Sequence, residues 1–153
     1  MRDYRHILAL VDPDDRHHDG VIYRALNLAR LGGAQLALLH LIEPDPSLDG
    51  GYPPPSHEAA RQGFEAGGMR RLAFLAARLE AGEATLLARY GDPASEFAAC
   101  AGELAPDLVI AAHDPGYLGG RHDLLLLGTA TAKIRGRGRV PTWLASLAGM
   151  SHA

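Results

Sequence analysis

The chain has 153 residues, of which 47% are hydrophobic and 22% are charged, and its formal net charge is −3. This length and composition predict one globular domain over residues 1–153 and exclude a wholly disordered chain. The acidic balance argues against a nucleic-acid binder driven by bulk electrostatics. The single cysteine, Cys100, excludes an internal disulfide framework and fits a reducing compartment.

The N-terminal apolar segment is short. Residues 5–11 are followed at once by the polar Asp12, too soon for a signal peptide or a membrane span. Three arginines at 135, 137 and 139 fall at the end of a predicted helix, where cations complement the helix dipole without any nucleic acid. We therefore expect a cytoplasmic protein whose partners include neither a membrane nor a nucleic acid.

Short apolar runs alternate with segments of helical period along the chain. Residues 5–11 read as a strand buried on both faces, and residues 19–31 as a helix that ends at Gly32-Gly33. Five strands and four helices in alternation predict a doubly wound α/β fold with a parallel sheet. The predicted strands cover residues 5–11, 34–42, 83–90, 107–112 and 140–147, and the predicted helices cover residues 19–31, 57–80, 93–104 and 128–136.

Residues 107–129, DLVIAAHDPGYLGGRHDLLLLGT, join an apolar run to a glycine-rich loop, a second apolar run and Gly-Thr. A loop between a strand and a helix N-terminus is where α/β proteins bind anions, because free N–H groups and the helix dipole point there. Arg121 or His122 would add positive charge. Asp12 follows the first strand and therefore belongs to the same edge of the sheet. This edge is the predicted small-molecule site.

Several segments, taken together and in this order, resemble the universal stress protein family. They are YRHILALVD (4–12), AQLALLHLIEP (34–44), GDPASEF (91–97), APDLVIAAH (105–113) and LLLLGTATAKI (124–134). The resemblance implies a flavodoxin-like, adenine-nucleotide-α-hydrolase-like fold: a five-stranded parallel sheet of order 3-2-1-4-5 with helices on both faces. It also implies a homodimer joined along the fifth strands, which places Val140, Trp143 and Ala145 at the interface.

Many members of this family bind ATP, and the resemblance implies where they would do so in this chain. An Asp at the end of strand one, near the adenine and ribose, matches Asp12. The backbone of strand two, near the adenine, matches Leu41. The final Gly-Ser/Thr of a Gly-x-x-Gly-x9-Gly-Ser/Thr phosphate loop matches Gly128 and Thr129.

The two leading glycines of that phosphate loop are altered. With strand four aligned, their positions hold Ala112 and Pro115, and the loop is several residues too long. With Gly116 and Gly119 taken as the pair, the spacing to Gly128 is one residue short. A proline removes an N–H donor, and an alanine excludes some backbone conformations open to glycine. The loop should therefore bind phosphate groups more weakly.

The resemblance therefore implies a stress-response protein that acts by binding or regulation as a homodimer, with weak or absent nucleotide binding. The alternative is a competent ATP- or AMP-binding member with Mg²⁺, for which slow ATP hydrolysis stays open; the cofactor is thus undecided. A third interpretation is an interaction module whose loop, residues 114–123, docks a partner. His113 could act as an acid or base, but no nucleophile accompanies it, and we do not predict an enzyme. The conformations of loops 44–56 and 114–123 stay open.

Three other features have simpler interpretations. Residues 12–15 and 17–19 hold acidic side chains and histidines, but adjacent histidines diverge and no ligand spacing repeats, so we predict a solvated acidic loop and no metal. His40, inside an apolar strand, is predicted to be a hydrogen-bonded core histidine. Cys100 is predicted to pack on the apolar face of its helix.

Overall fold

The computed structural model describes residues 4–45 and 57–127 and the backbone of residues 133–135. Within these residues, three helices and six strands follow one another along the chain. They are β1 (His6–Leu10), α1 (His18–Gly32), β2 (Gln35–Ile42), α2 (His57–Arg78), β3 (Thr85–Tyr90), α3 (Pro93–Leu104), β4 (Leu108–Ala111), β5 (Asp123–Leu126) and β6 (Lys133–Arg135). No helix in this part of the chain combines the length and apolar character needed to cross a bilayer.

The strands form one sheet of order β3-β2-β1-β4-β5-β6. The first five in this order are parallel, and β6 runs antiparallel to β5. The central strand β1 pairs on both sides, with Leu8 opposite Ala37 of β2 and Val109 of β4. The predicted α/β fold with a five-stranded parallel sheet of order 3-2-1-4-5 is confirmed.

The fifth parallel strand is not the segment that the sequence predicted. It is Asp123–Leu126, where Leu124 and Leu125 are buried in the two cores on opposite faces of the sheet. Only a strand sends consecutive side chains to opposite faces, so neighbouring leucines of one strand can be buried in the cores on both sides of the sheet. The predicted helix over residues 128–136 is wrong at Lys133–Arg135, which form β6. The predicted strand 140–147 lies outside the described residues.

Helices cover both faces of the sheet, as predicted. Apolar side chains of α1 and α2, including Ile22 and Leu72, pack on one face in a core with Ile7, Leu38 and Ile110. On the other face, α3 contributes Phe97 and Cys100 to a second core. Its other members include Leu8, Leu39 and Val109. Burial raises the pKa of the Cys100 thiol, as expected for a cysteine that packs.

Local signals fix how α1 ends and α3 begins. Gly33 ends α1 in the left-handed conformation, with φ +66°, and its N–H donates to the Ala29 carbonyl. Asp92 caps α3 by accepting a 3.0 Å hydrogen bond from the Ser95 N–H, and Pro93 follows at the start of the helix. Because α3 starts directly after β3, its N-terminus lies at the carboxyl edge of the sheet.

His40 lies under α2 at a close crossing. The side chain is 7% exposed, and its Nδ1 has no hydrogen-bond partner among the described residues, so the predicted hydrogen bond is wrong at this atom. Gly68 of α2 makes the close approach: a Cβ built there would lie 2.7 Å from Ile42 Cδ1 and 3.1 Å from His40 Cδ2. Burial lowers the pKa of His40, which favours the neutral ring.

Candidate functional site

A cavity of about 270 Å³ opens at the carboxyl ends of β1, β2 and β4. The chain crosses from β1 to β2 on one side and returns to β4 on the other, and open α/β sheets bind ligands where the order reverses in this way. The ends of the strands supply apolar side chains to its lining, Leu10, Leu39 and Ala111 among them. We call this cavity the crevice.

Acidic side chains predominate among the charged groups of the crevice. Asp12, Asp15 and Glu43 line it, and its described lining includes no arginine or lysine. Asp12 follows β1 directly, and its Oδ1 accepts a 2.9 Å hydrogen bond from the Asp14 N–H, which orients the carboxylate. The electrostatic field of these groups favours neutral or cationic ligands over anionic ones.

The connection from β4 to β5, residues 112–122, contains no helix. Gly116 adopts φ +93°, a conformation that favours glycine, and its N–H donates to Asp114 Oδ1 at 2.9 Å. Pro115 lines the crevice and has no N–H to offer. Two positions that could have donated to a phosphate are therefore unavailable, one because it is engaged and one because it is a proline.

The second half of this connection is anchored on the α3 face of the sheet. Leu118 is 1% exposed, and the buried His122 donates from Nε2 to the Leu118 carbonyl oxygen at 2.6 Å. The rings of Phe97 of α3 and His122 pack edge-on, with their centroids 5.9 Å apart. Gly120 permits this arrangement, since a Cβ there would lie 2.7 Å from the His122 ring. The predicted contribution of His122 to a phosphate site is therefore wrong, because the ring is packed in the core.

His113 stands at the mouth of the crevice. It follows β4 by two residues, lines the cavity, and places Nε2 3.2 Å from Asp15 Oδ2. Tyr117 lines the cavity from the same connection, and burial raises the pKa of its hydroxyl. The crevice thus has an apolar floor and a polar rim in which an imidazole faces a carboxylate.

Sequence comparison finds one family profile that spans most of the chain. The profile of the universal stress protein family matches residues 3–145. This chain belongs to the universal stress protein family. A search of the curated protein sequences finds no match.

Solved structures of universal stress proteins resemble the chain in fold. A universal stress protein family member from Burkholderia pseudomallei is 23% identical, covers 71% of this chain and 80% of its own, and has a TM-score of 0.50. Universal stress protein UspA from Lactobacillus plantarum is 21% identical over 77% and 83% of the two chains, with a TM-score of 0.50. The universal stress protein from Archaeoglobus fulgidus in complex with dAMP is 16% identical over 71% and 80%, with a TM-score of 0.46.

In this universal stress protein the predicted site residues separate into three groups. Asp12 and Leu41 come together at the crevice, where Leu41 lies two residues beyond the Leu39 carbonyl that accepts the Val11 N–H. Gly116 and Gly119 lie in the β4–β5 connection and do not line the crevice. The third group, Gly128 and Thr129, lies outside the described residues.

Sequence reasoning did not find two parts of this site. Leu118 and His122 are anchored by packing near Phe97. The one sequence feature that could have indicated this packing is the apolar pair Tyr117-Leu118 inside an otherwise polar loop. The approach of His113 to Asp15 joins two loops that are distant in sequence. It follows only from the adjacency of β1 and β4 in the sheet.

Proposed function

We propose that this universal stress protein acts in the cytoplasm by binding and regulation, without turnover, and that its nucleotide binding is weak or absent. The observation that carries the proposal is the charge of the crevice. Asp12, Asp15 and Glu43 line it, with no arginine or lysine among its described lining residues. A phosphate group would meet carboxylates where phosphate sites ordinarily supply cations or free N–H groups.

The β4–β5 connection supports the same proposal. The Gly116 N–H is engaged by Asp114, and Pro115 replaces a possible donor with a ring that has none. Anion sites at loops depend on several backbone N–H groups that converge on one point. Loss of two donors reduces what the connection can offer to a triphosphate.

The crevice suits a small, largely uncharged ligand. Its volume of about 270 Å³ lies just below the roughly 300–1,000 Å³ typical of ligand pockets. A planar heterocycle could contact the apolar ends of the strands, while the Asp12 carboxylate could accept hydrogen bonds from sugar hydroxyls. We infer that a nucleoside would bind better than the corresponding triphosphate.

The second candidate function is that of a competent ATP- or AMP-binding member. It is favoured by the position of Asp12 and Leu41, which line one crevice at the point where nucleotides bind in related folds. Mg²⁺ would then have to offset the repulsion between the phosphates and the carboxylates of the crevice. Gly128 and Thr129 would supply the remaining phosphate contacts.

Nucleotide content and ligand-induced stabilisation distinguish the two candidates. Purified protein is denatured, its supernatant is chromatographed for adenine nucleotides, and thermal unfolding is followed with adenosine, AMP or ATP, each with and without Mg²⁺. We expect no co-purified nucleotide and no greater stabilisation by ATP than by adenosine. A ligand at 100 times its Kd stabilises the native state by about 2.7 kcal/mol. A shift of that size with ATP and Mg²⁺ would overturn the leading proposal.

Variants then locate any ligand that binds. Asp12→Ala should abolish the stabilisation by adenosine or ATP, because it removes the oriented carboxylate at the end of β1. Glu103→Ala is the matched control, since Glu103 is an exposed carboxylate near the other end of α3 and does not line the crevice. Equal stabilisation of both variants would place the ligand elsewhere. Gly128→Val tests the phosphate contact that the ATP-binding candidate requires.

The homodimer is part of the proposal. An apolar segment that stays uncovered promotes aggregation, and symmetric pairing of two such segments is a common solution. The segment 140–147 contains Val140, Trp143 and Ala145, which we propose as the interface. Trp143→Glu should give a monomer by light scattering. A dimer that persists in this variant would show that another surface is used.

A further inference from the structure

Three metal-ligating side chains converge beside the crevice. Asp15 lies in the β1–α1 loop, His17 directly precedes α1, and His113 follows β4. One ligand atom from each lies within 4.8 Å of the other two. We propose that Asp15, His17 and His113 form a binding site for a divalent first-row transition metal ion of the zinc type.

The spacing of the donor atoms fits such an ion. Ligands at about 2.0–2.1 Å from a tetrahedral zinc lie about 3.3 Å from one another. His113 Nε2 and Asp15 Oδ2 are already 3.2 Å apart. The His17 and His113 rings meet edge-on with their centroids 5.5 Å apart, and all three ligand atoms lie within 4.8 Å of one another, so the ion would have to draw them closer together.

The Asp15 carboxylate is held in position for this role. Its Oδ1 accepts a 2.8 Å hydrogen bond from the His17 N–H, while Oδ2 faces His113. Hydrogen bonds that orient the ligating groups in this way strengthen metal binding. The side chain is 22% exposed, so it is partly shielded from competing solvent.

The chemistry of the three ligands selects the class of metal. Two imidazoles and one carboxylate suit zinc, iron, cobalt or nickel, whereas magnesium and calcium prefer sites built from oxygen alone. Three protein ligands leave at least one coordination position for water or another molecule. Because Asp15 and His113 also line the crevice, a metal ion held by them would border any molecule bound there.

Some charged groups near the three ligands oppose a bound cation, and others favour it. The Arg16 Nε–H donates to His17 Nε2 at the long distance of 3.4 Å, and the N-terminus of α1 adds partial positive charge. Against these, Asp12 lines the same crevice and contributes a second negative charge to the surroundings of the ion. Displacing the weak Arg16 contact frees the His17 ring for the metal.

Metal binding is tested on tag-free protein that has been stripped with a chelator and contains no nucleotide. Zn²⁺ is titrated by calorimetry, Co²⁺ is titrated by its visible absorption, and Mg²⁺ is the comparison ion. We expect one Zn²⁺ or Co²⁺ per chain, an increase in the thermal midpoint with Zn²⁺, and no effect of Mg²⁺. Absence of Zn²⁺ and Co²⁺ uptake would overturn the proposal. This result would leave the nucleotide proposal untouched, because no nucleotide is present.

Variants tie any uptake to the three side chains. His113→Ala and Asp15→Asn should each weaken Zn²⁺ binding by at least about tenfold, since loss of even an orienting partner costs that much. His6→Ala is the matched control, because His6 is an exposed histidine at the start of β1. Unchanged uptake in His113→Ala would place the ion elsewhere. His113 is 55% exposed, so this variant stays informative even if Asp15→Asn disturbs the loop.

Discussion

Two glycines of α2 should respond differently to substitution by alanine. Gly68 is buried, and a Cβ there would meet Ile42 and His40 as well as the Ala88 Cβ at 3.2 Å, whereas Gly63 has nothing within 4 Å. Replacing glycine by alanine inside a helix raises the free energy of unfolding by about 1 kcal/mol. At Gly68 this gain is offset by an overpacking cost of about 1–3 kcal/mol.

We therefore expect Gly63→Ala to stabilise by about 1 kcal/mol and Gly68→Ala to destabilise by about 0–2 kcal/mol. Urea unfolding followed by circular dichroism gives both values under one condition. A change of 1 kcal/mol moves the thermal midpoint of a domain of this size by about 2–4 °C, so calorimetry should separate the variants. Equal stabilisation by both would refute the close crossing of α2 over His40.

Three further predictions concern single contacts. Burial lowers the pKa of His40, so the unfolded chain takes up a proton as the pH falls through about 6.5. The free energy of unfolding should therefore fall below that pH, and less so in His40→Leu; equal pH slopes in urea titrations would contradict this. Asp92→Ala should lower the thermal midpoint by uncapping α3. Hydrogen bonds from Ser95 lower the pKa of Asp92, so the difference in thermal midpoint between the variant and the unmodified protein should disappear as acid protonates the carboxyl. A difference that persists in acid would contradict this prediction. Tyr4→Phe removes a 2.5 Å hydrogen bond to Asp123 that joins the residues before β1 to β5, and should cost about 1–3 kcal/mol in urea unfolding, where no change would show the bond to be dispensable.

Features with a local cause were predicted correctly. Gly33 ends α1 because glycine accepts positive φ, and Pro93 starts α3 because its fixed φ suits the first turn. The strand order came from the resemblance to the universal stress protein family, since no local pattern states which strands are neighbours.

Features that depend on distant pairing were not predicted. The leucines at 124–126 carry no helical period, but they become part of β5 only by pairing with β4. His40 could be placed in the core from its apolar strand. That Nδ1 has no partner among the described residues depends instead on what α2 places over the ring. The closeness of His17 to His113 illustrates the same limit, because their two loops come together only through the pairing of β1 with β4.

The anchoring of the β4–β5 connection has a consequence for how the crevice can change. Pro115 and Tyr117 line the crevice, and only a few residues later Leu118 and His122 are packed in the core against α3. One wall of the crevice therefore cannot shift far without loosening Phe97. Ligand affinity and the stability of α3 are thermodynamically linked: a molecule that binds the crevice should slow amide hydrogen exchange in α3, and a cavity in the α3 core should weaken binding without touching the ligand.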